Sequence, residues 1–161
     1  MSQRAQTDKE TERVTEVTKT EDAFKAFEAG FSCSQSVLTA FSKEAGLTEE
    51  ISNRIACAFG GGIARRSLTC GAVSGAFMVI GLKYGMAKVE NKDAKELTYT
   101  KVNEFCKLFI EKHGSLNCTE LLGCDLGTEE GRKYFKEKML LTQKCNNYVK
   151  DTCDILIKMG M

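Results

Sequence analysis

Apolar residues recur along most of this chain at intervals of three and four, the spacing that lays a stripe along an α-helix, and no run alternates every second residue as a half-buried strand would. The first stretch runs from about Lys9 to Ala29, with Val14, Val17, Ala23, Phe24 and Phe27 on its apolar side and Gly30 placed to close it. Ser32 is set to cap a second helix, Cys33 to Ala45, which carries Val37, Leu38 and Phe41 and ends at Gly46. Thr48 precedes a third, with Ile51, Ile55, Ala58 and Phe59 at helical spacing, and Gly60-Gly61-Gly62 stops it. Thr69 is the expected cap of a fourth segment, Cys70 to about Tyr84, which carries no charge from Gly71 to Leu82. A run so uniformly apolar, and too short for a bilayer, predicts a buried central helix. Gly71, Ala72, Gly75 and Ala76 give it a small-residue face that another backbone can approach.

Asp93 to His113 reads as a long amphipathic helix, with Val102, Phe105, Cys106, Phe109 and Ile110 on one side. Shorter helices are expected over Cys118–Leu122 and Glu129–Leu140. A last one, Thr142 to Met159, lines up Cys145, Tyr148, Val149, Cys153 and Leu156. The expected fold is therefore all-α: six to eight helices packed around the apolar helix at about 70–84. Met1 to about Glu10 is polar and reads as a frayed segment, leaving residues 11–161 as a single helical domain. A length of 161 residues fits one domain. The absence of proline agrees with long helices.

Charge narrows the function. Lys and Arg total 23 and Asp and Glu 22, so the chain lacks the basic excess of a nucleic-acid binder. No stretch reaches the roughly 18 apolar residues of a membrane helix, and the N-terminus has no apolar core of a secretory signal. The expected location is the cytoplasm. In that reducing compartment 8 cysteines point to metal binding, redox chemistry or simple burial before structural disulfides.

Position sorts the cysteines. Cys33, Cys70, Cys118 and Cys145 each fall in the first turn of an expected helix, behind Ser32, Thr69, Asn117 and Thr142. Free N–H groups and the positive end of the helix dipole favour a thiolate there, the species that ligates metals and attacks disulfides. Cys57, Cys106 and Cys153 lie inside expected helices and read as small hydrophobes, while Cys124 sits in a loop and fits either role. No C-x-x-C occurs. Cys118 and Cys124 form a lone C-x5-C, and Cys145 and Cys153, about 12 Å apart along one helix, cannot share a metal or a disulfide. A shared site must be assembled by tertiary structure.

The segments Gly30-Phe31-Ser32-Cys33-Ser34-Gln35-Ser36-Val37-Leu38, Phe59-Gly60-Gly61-Gly62-Ile63, Cys70-Gly71-Ala72-Val73-Ser74-Gly75-Ala76, Gly114-Ser115-Leu116-Asn117-Cys118 and Cys145 with Tyr148-Val149 resemble a family described as redox-active, with a C…CGAxxG…C…C cysteine pattern. The resemblance runs from about Ala23 to Leu156 and maps the family's four cysteines onto Cys33, Cys70, Cys118 and Cys145. The chain also resembles a domain of split-Soret cytochromes c, in which cysteines hold an iron–sulfur cluster beside haems. It has no C-x-x-C-H, so covalent haem is not expected. Relatives often carry glycine where this chain has Ala64 and Ser67, and proline where it has Asn146 after the last cysteine.

Three readings follow. The first is an electron carrier in which the four cysteines hold an iron–sulfur cluster, with [2Fe–2S] the expected type. The second is a metal-free thiol–disulfide protein using the same residues. The third is a helical module fixed by zinc, bound by four cysteines or by three and His113, the only histidine. Otherwise His113 is expected to be a solvated helix end. The partner is a redox protein of unspecified kind, and a homodimer is left open. Gly60-Gly61-Gly62 with Arg65 and Arg66, before a helix N-terminus, could hold an anion, but it fits neither G-x-x-x-x-G-K-[ST] nor G-x-G-x-x-G, so a nucleotide is not expected; it otherwise reads as a turn needing positive φ or a source of positive charge near Cys70.

Overall fold

A computed structural model describes residues 18–161 and shows eight helices among them. These are α1 (residues 18–28), α2 (Cys33–Ser42), α3 (Glu49–Ala56), α4 (Gly71–Tyr84), α5 (Lys92–His113), α6 (Cys118–Leu122), α7 (Glu129–Glu137) and α8 (Asn146–Lys158). The all-α expectation holds. The only extended pairing among the described residues is one antiparallel bridge, Thr69 to Asn117. Val14, Val17 and the expected frayed segment lie outside the described residues.

Helix α4 is the axis of the bundle. Gly71 to Ala76, Val79 and Ile80 are all buried, because α2, α5 and α8 surround it. Such a helix needs no polar face, which is why its sequence shows no charge until Lys83. Its glycines set how closely α2 can approach. A Cβ on Gly75 would lie 2.9 Å from Val37 Cβ and 3.0 Å from the Ser34 carbonyl, and one on Gly71 would lie 3.2 Å from Cys33 Cβ. Close packing of α2 on α4 therefore carries Cys33 to the N-terminal end of α4.

The amphipathic helices mostly bury the expected faces. Cys145, just before α8, and Tyr148, Val149, Cys153 and Leu156 within it all turn inward. In α5, Phe105 and Phe109 are fully buried and stacked at 5.8 Å, whereas Ile110 is 43% exposed at the stripe's edge. Helix α1 buries Ala23 and Phe27 and is tied to α8 by the Thr20 hydroxyl donating to Asp154 Oδ1 at 2.9 Å.

Helix α3 departs from its pattern. Its apolar stripe faces outward, with Ile51 46% and Ile55 49% exposed, and Ser52 and Ala56 face the bundle instead. Hydrogen bonds decide this orientation. The Ser34 hydroxyl donates to the Ala56 carbonyl at 2.8 Å, Gln35 Nε2 donates to the Asn53 carbonyl at 3.0 Å, and Thr39 Oγ1 meets Asn53 Oδ1 at 3.2 Å. These side chains on α2 need a small, polar face opposite them.

Gly75→Val should overpack the α2–α4 contact, since the Ser34 backbone cannot move aside as a flexible side chain would. The expected loss is roughly 1–3 kcal/mol of unfolding free energy. Urea titration checks it, and an unchanged midpoint would show that α4 does not depend on this close approach.

Candidate functional site

Four different elements deliver the four cysteines. Cys33 opens α2 behind a capping box: the Ser32 hydroxyl accepts from the Gln35 N–H, and Gln35 Oε1 accepts from the Ser32 N–H at 2.9 Å. Cys118 opens α6, with Asn117 capping as expected by accepting from the Glu120 N–H. The other two sit differently from expectation. Cys70 is itself the N-cap of α4, because Thr69 is held in the bridge to Asn117. Cys145 does not follow a cap at Thr142, whose hydroxyl donates to the Met139 carbonyl at 3.0 Å. It closes a wide π-helical turn, Leu141–Cys145, that runs on into α8. Such a turn adds a residue to the helical repeat and re-aims the side chains beyond it.

Backbone hydrogen bonds bring these elements into register. The Cys70 N–H donates to the Leu116 carbonyl at 2.8 Å and the Cys118 N–H to the Leu68 carbonyl at 2.6 Å, so the two cysteines stand on adjacent strands of the bridge. The chain reaches this bridge through a left-handed turn, with φ of +63° at Gly61, +68° at Gly62, +64° at Ile63, +51° at Ala64 and +62° at Arg65. The glycines suit this backbone; the three non-glycine residues are strained in it. Gly62 also has no room for a side chain, as a Cβ there would lie 2.7 Å from Cys118 Cβ. Ser67 again has positive φ, +57°, but its buried hydroxyl accepts from the Leu126 N–H at 2.7 Å. That bond gives the serine a use in a backbone conformation that favours glycine. On the far side, Tyr148 donates to the Leu121 carbonyl at 2.9 Å and Lys144 Nζ to the same carbonyl at 3.0 Å, holding the start of α8 against α6.

The result is one cavity of about 1080 Å³ lined by Cys33, Cys70, Cys118 and Cys145 together with Tyr148. Cys145 is the neighbour that does most to raise the Cys33 thiol. Residues 31–159 match the family described as "Putative redox-active protein (C_GCAxxG_C_C)". The chain belongs to this family. Where the family label writes GCAxxG, the chain reads Cys70-Gly71-Ala72-Val73-Ser74-Gly75, with the first two letters in the other order. No curated protein and no solved structure matches the chain.

Burial dominates the electrostatics of Cys70 and Cys118. It pushes the Cys70 thiol up to about 12, helped by the nearby Cys33, while N–H groups of Ala72 and Val73 pull the other way. Burial likewise pushes Cys118 up to about 12, with Cys70, Cys33, Cys124 and Asp125 adding to it. The Cys33 thiol is raised well above its ordinary value, first by its interaction with Cys145 and then by burial. Helix N-termini do favour the Cys70 thiolate, as the sequence implies, but desolvation outweighs them. Among the described residues no group of three or more His, Cys, Asp or Glu side chains is set to hold a metal ion.

The remaining cysteines divide further than their sequence positions suggest. Cys153 is fully buried in the core. Cys106 is half-buried on α5 and does not line the cavity. Cys57, expected inside a helix as a small hydrophobe, is exposed in a tight turn after α3 and lines the cavity. The Gly-rich stop that follows it was the available signal, since a helix ending there frees Cys57 from the packed face. Cys124 is half-buried close to Cys118. His113 is not a solvated helix end. Its ring lies 4.6 Å from Phe109 and 5.0 Å from Tyr148, and Nε2 is 3.1 Å from Asp151 Oδ2. It does not line the cavity, so it stands apart from the four cysteines.

In the reduced, metal-free chain the raised thiols make stability pH-dependent. An unfolded thiol ionises near its ordinary value, about 8.5, whereas folded Cys70 stays protonated to about 12. Above that ordinary value the unfolded chain binds fewer protons, so the contribution is complete at lower pH and is lost as pH climbs towards the folded value. The slope reaches about 1.4 kcal/mol per pH unit for each such thiol. Urea midpoints at increasing alkalinity should therefore fall less steeply for Cys70→Ala than for the parent; parallel slopes would contradict the assignment.

Proposed function

We propose that the chain is a thiol redox protein in which Cys33 and Cys145 form the exchanging pair. The observation that carries this reading is that both cysteines line one cavity open to other molecules, where Cys145 is the neighbour that most perturbs Cys33. Cys33 is half-buried and Cys145 buried, so an incoming disulfide meets Cys33 first. The Cys33 sulfur, as thiolate, attacks one sulfur of that disulfide and expels the other as a thiol. Cys145 then attacks the mixed disulfide, closes the Cys33–Cys145 bond and releases the second thiol. In sum two protein thiols lose two electrons and two protons, and the partner's disulfide gains them. Because Cys33 is raised, the first step is expected to accelerate as pH rises. A reducing compartment such as the cytoplasm and a disulfide-bearing partner protein belong to this proposal.

The donor set supports a second reading. Cys33, Cys70, Cys118 and Cys145 are four soft ligands on one cavity, N–H groups of α4 are directed to the Cys70 sulfur, and no carboxylate among the described residues lines the wall. That donor chemistry is what an iron–sulfur cluster takes, and a cluster held by these residues would supply one-electron transfer; the side chains would have to close on it, since no three of them are set around an ion among the described residues. The cavity walls would exclude water from it, and the N–H groups would offset its negative charge.

Anaerobically purified protein, assayed for iron, sulfide and visible absorbance and then oxidised with diamide and mapped by mass spectrometry, separates the two. The thiol reading expects no chromophore and a peptide pair linked through Cys33 and Cys145. Colour and iron lost in Cys70→Ser but kept in Cys153→Ser would overturn it in favour of the cluster.

A further inference from the structure

The cavity is much larger than a cysteine pair requires. At about 1080 Å³ it has the volume of a small-molecule site rather than of a gap between two thiols. Its walls carry Arg65, Arg132 and Lys136, and no Asp or Glu among the described residues lines it. In a chain with 23 basic and 22 acidic residues, that is a local excess of positive charge. The raised thiols do not cancel it, because Cys33, Cys70 and Cys118 stay protonated at neutral pH.

The three cations share one side of the site. Arg132 donates to the carbonyls of Leu126 and Gly127 at 2.9 and 3.0 Å, and a Cβ on Gly127 would stand 3.6 Å from the Arg65 carbonyl. Lys136 lies one helical turn beyond Arg132 on α7, on the same face. Among the described residues Arg65 and Lys136 form no ion pair and no side-chain hydrogen bond, so their charges face no competing partner there. The lip of the same cavity is apolar. Phe31, Met139 and Leu141 line it while remaining 37%, 60% and 46% exposed. Met139 is held there by a left-handed backbone, φ +49°, which costs energy for a non-glycine residue.

We propose that this cavity binds an organic anion: a molecule with an apolar ring or chain against Phe31, Met139 and Leu141 and an anionic group between Arg65 and Lys136. This names the class of molecule brought to the cysteines; its role in the redox reaction rests on the thiol reading, but its binding does not. The apolar part removes the lip residues from water, and the anionic part meets two unpaired cations in a site without competing carboxylates. Neither half alone selects the ligand. A simple inorganic anion gains nothing from the lip, and a neutral hydrocarbon gains nothing from the cations.

The test uses the full reduced chain and two fluorescent probes of the same skeleton, anilinonaphthalene sulfonate and the uncharged N-phenylnaphthylamine. The sulfonate should bind saturably at one site. Arg65→Gln with Lys136→Gln should weaken the sulfonate by about tenfold and leave the neutral probe unchanged. Met139→Ser with Leu141→Ser, both exposed positions, should weaken both probes. Location is read from iodoacetamide labelling: bound sulfonate should slow modification of Cys57 in the cavity and leave Cys106, outside it, unaffected. Equal losses for the two probes in the charge variant, non-saturable binding, or no protection of Cys57 would overturn the proposal. Because no readout requires Cys33 and Cys145 to oxidise, protection of Cys57 in a protein that never forms their disulfide would refute the thiol reading alone.

Discussion

Two backbone hydrogen bonds, Cys70 to Leu116 and Cys118 to Leu68, hold the site together. They join the loop before α4 to the loop before α6 and fix two cysteines at once. Almost every unusual feature nearby follows from them. Thr69 cannot cap α4 because its backbone is committed to the bridge, so Cys70 takes the cap position. The chain leaving α3 must reverse within a few residues to reach the bridge, and it does so by the left-handed turn from Gly61 to Arg65. Gly62 passes against Cys118 where no Cβ fits. Once the bridge is formed, close packing of α2 brings Cys33 to Cys70, and the Lys144 and Tyr148 bonds to the end of α6 bring Cys145 to the same cavity.

Two opposed effects then act on the sulfurs. Helix starts offer N–H donors that stabilise a thiolate, and the buried floor of the cavity withdraws the water that would solvate it. Desolvation prevails at Cys70 and Cys118. The site thus stores neutral thiols whose N–H donors are already in place when negative charge develops, whether by attack on a disulfide or by ligation of a metal. That is the preorganisation expected of a centre that must hold charge briefly rather than permanently.

The helices were legible because packing and periodicity agree. The charge-free run at α4 and the stripe of α8 state their own burial, and the four family cysteines stand out through the pattern Cys70-Gly71-Ala72-Val73-Ser74-Gly75 and their places near helix starts. What escaped the sequence has a physical reason in each case. The outward stripe of α3 is set by hydrogen bonds from Ser34, Gln35 and Thr39 on a neighbouring helix, which no periodicity within α3 encodes. The wide turn before Cys145 depends on a left-handed Met139, a residue type that carries no signal for that backbone. Thr69 looks like a cap and becomes one side of an isolated bridge, a role its sequence does not signal because its partner, Asn117, lies far away. His113 looks like a solvated end and is half-buried because α8 places Tyr148 and Asp151 against it.

Strain and function coincide around the cavity. The non-glycine residues with positive φ are Ile63, Ala64, Arg65, Ser67 and Met139, and three of them, Ala64, Arg65 and Met139, line the cavity. A chain selected for stability alone would place glycine at such positions. Ser67 offsets its strain with a buried hydrogen bond to Leu126. Arg65 and Met139 have no such bond, and what they gain is position: one holds a free charge over the cavity and the other an apolar side chain at its lip. Residues that cost stability and return no packing are most simply understood through what they hold at the cavity, and here they frame the entrance to the family cysteines.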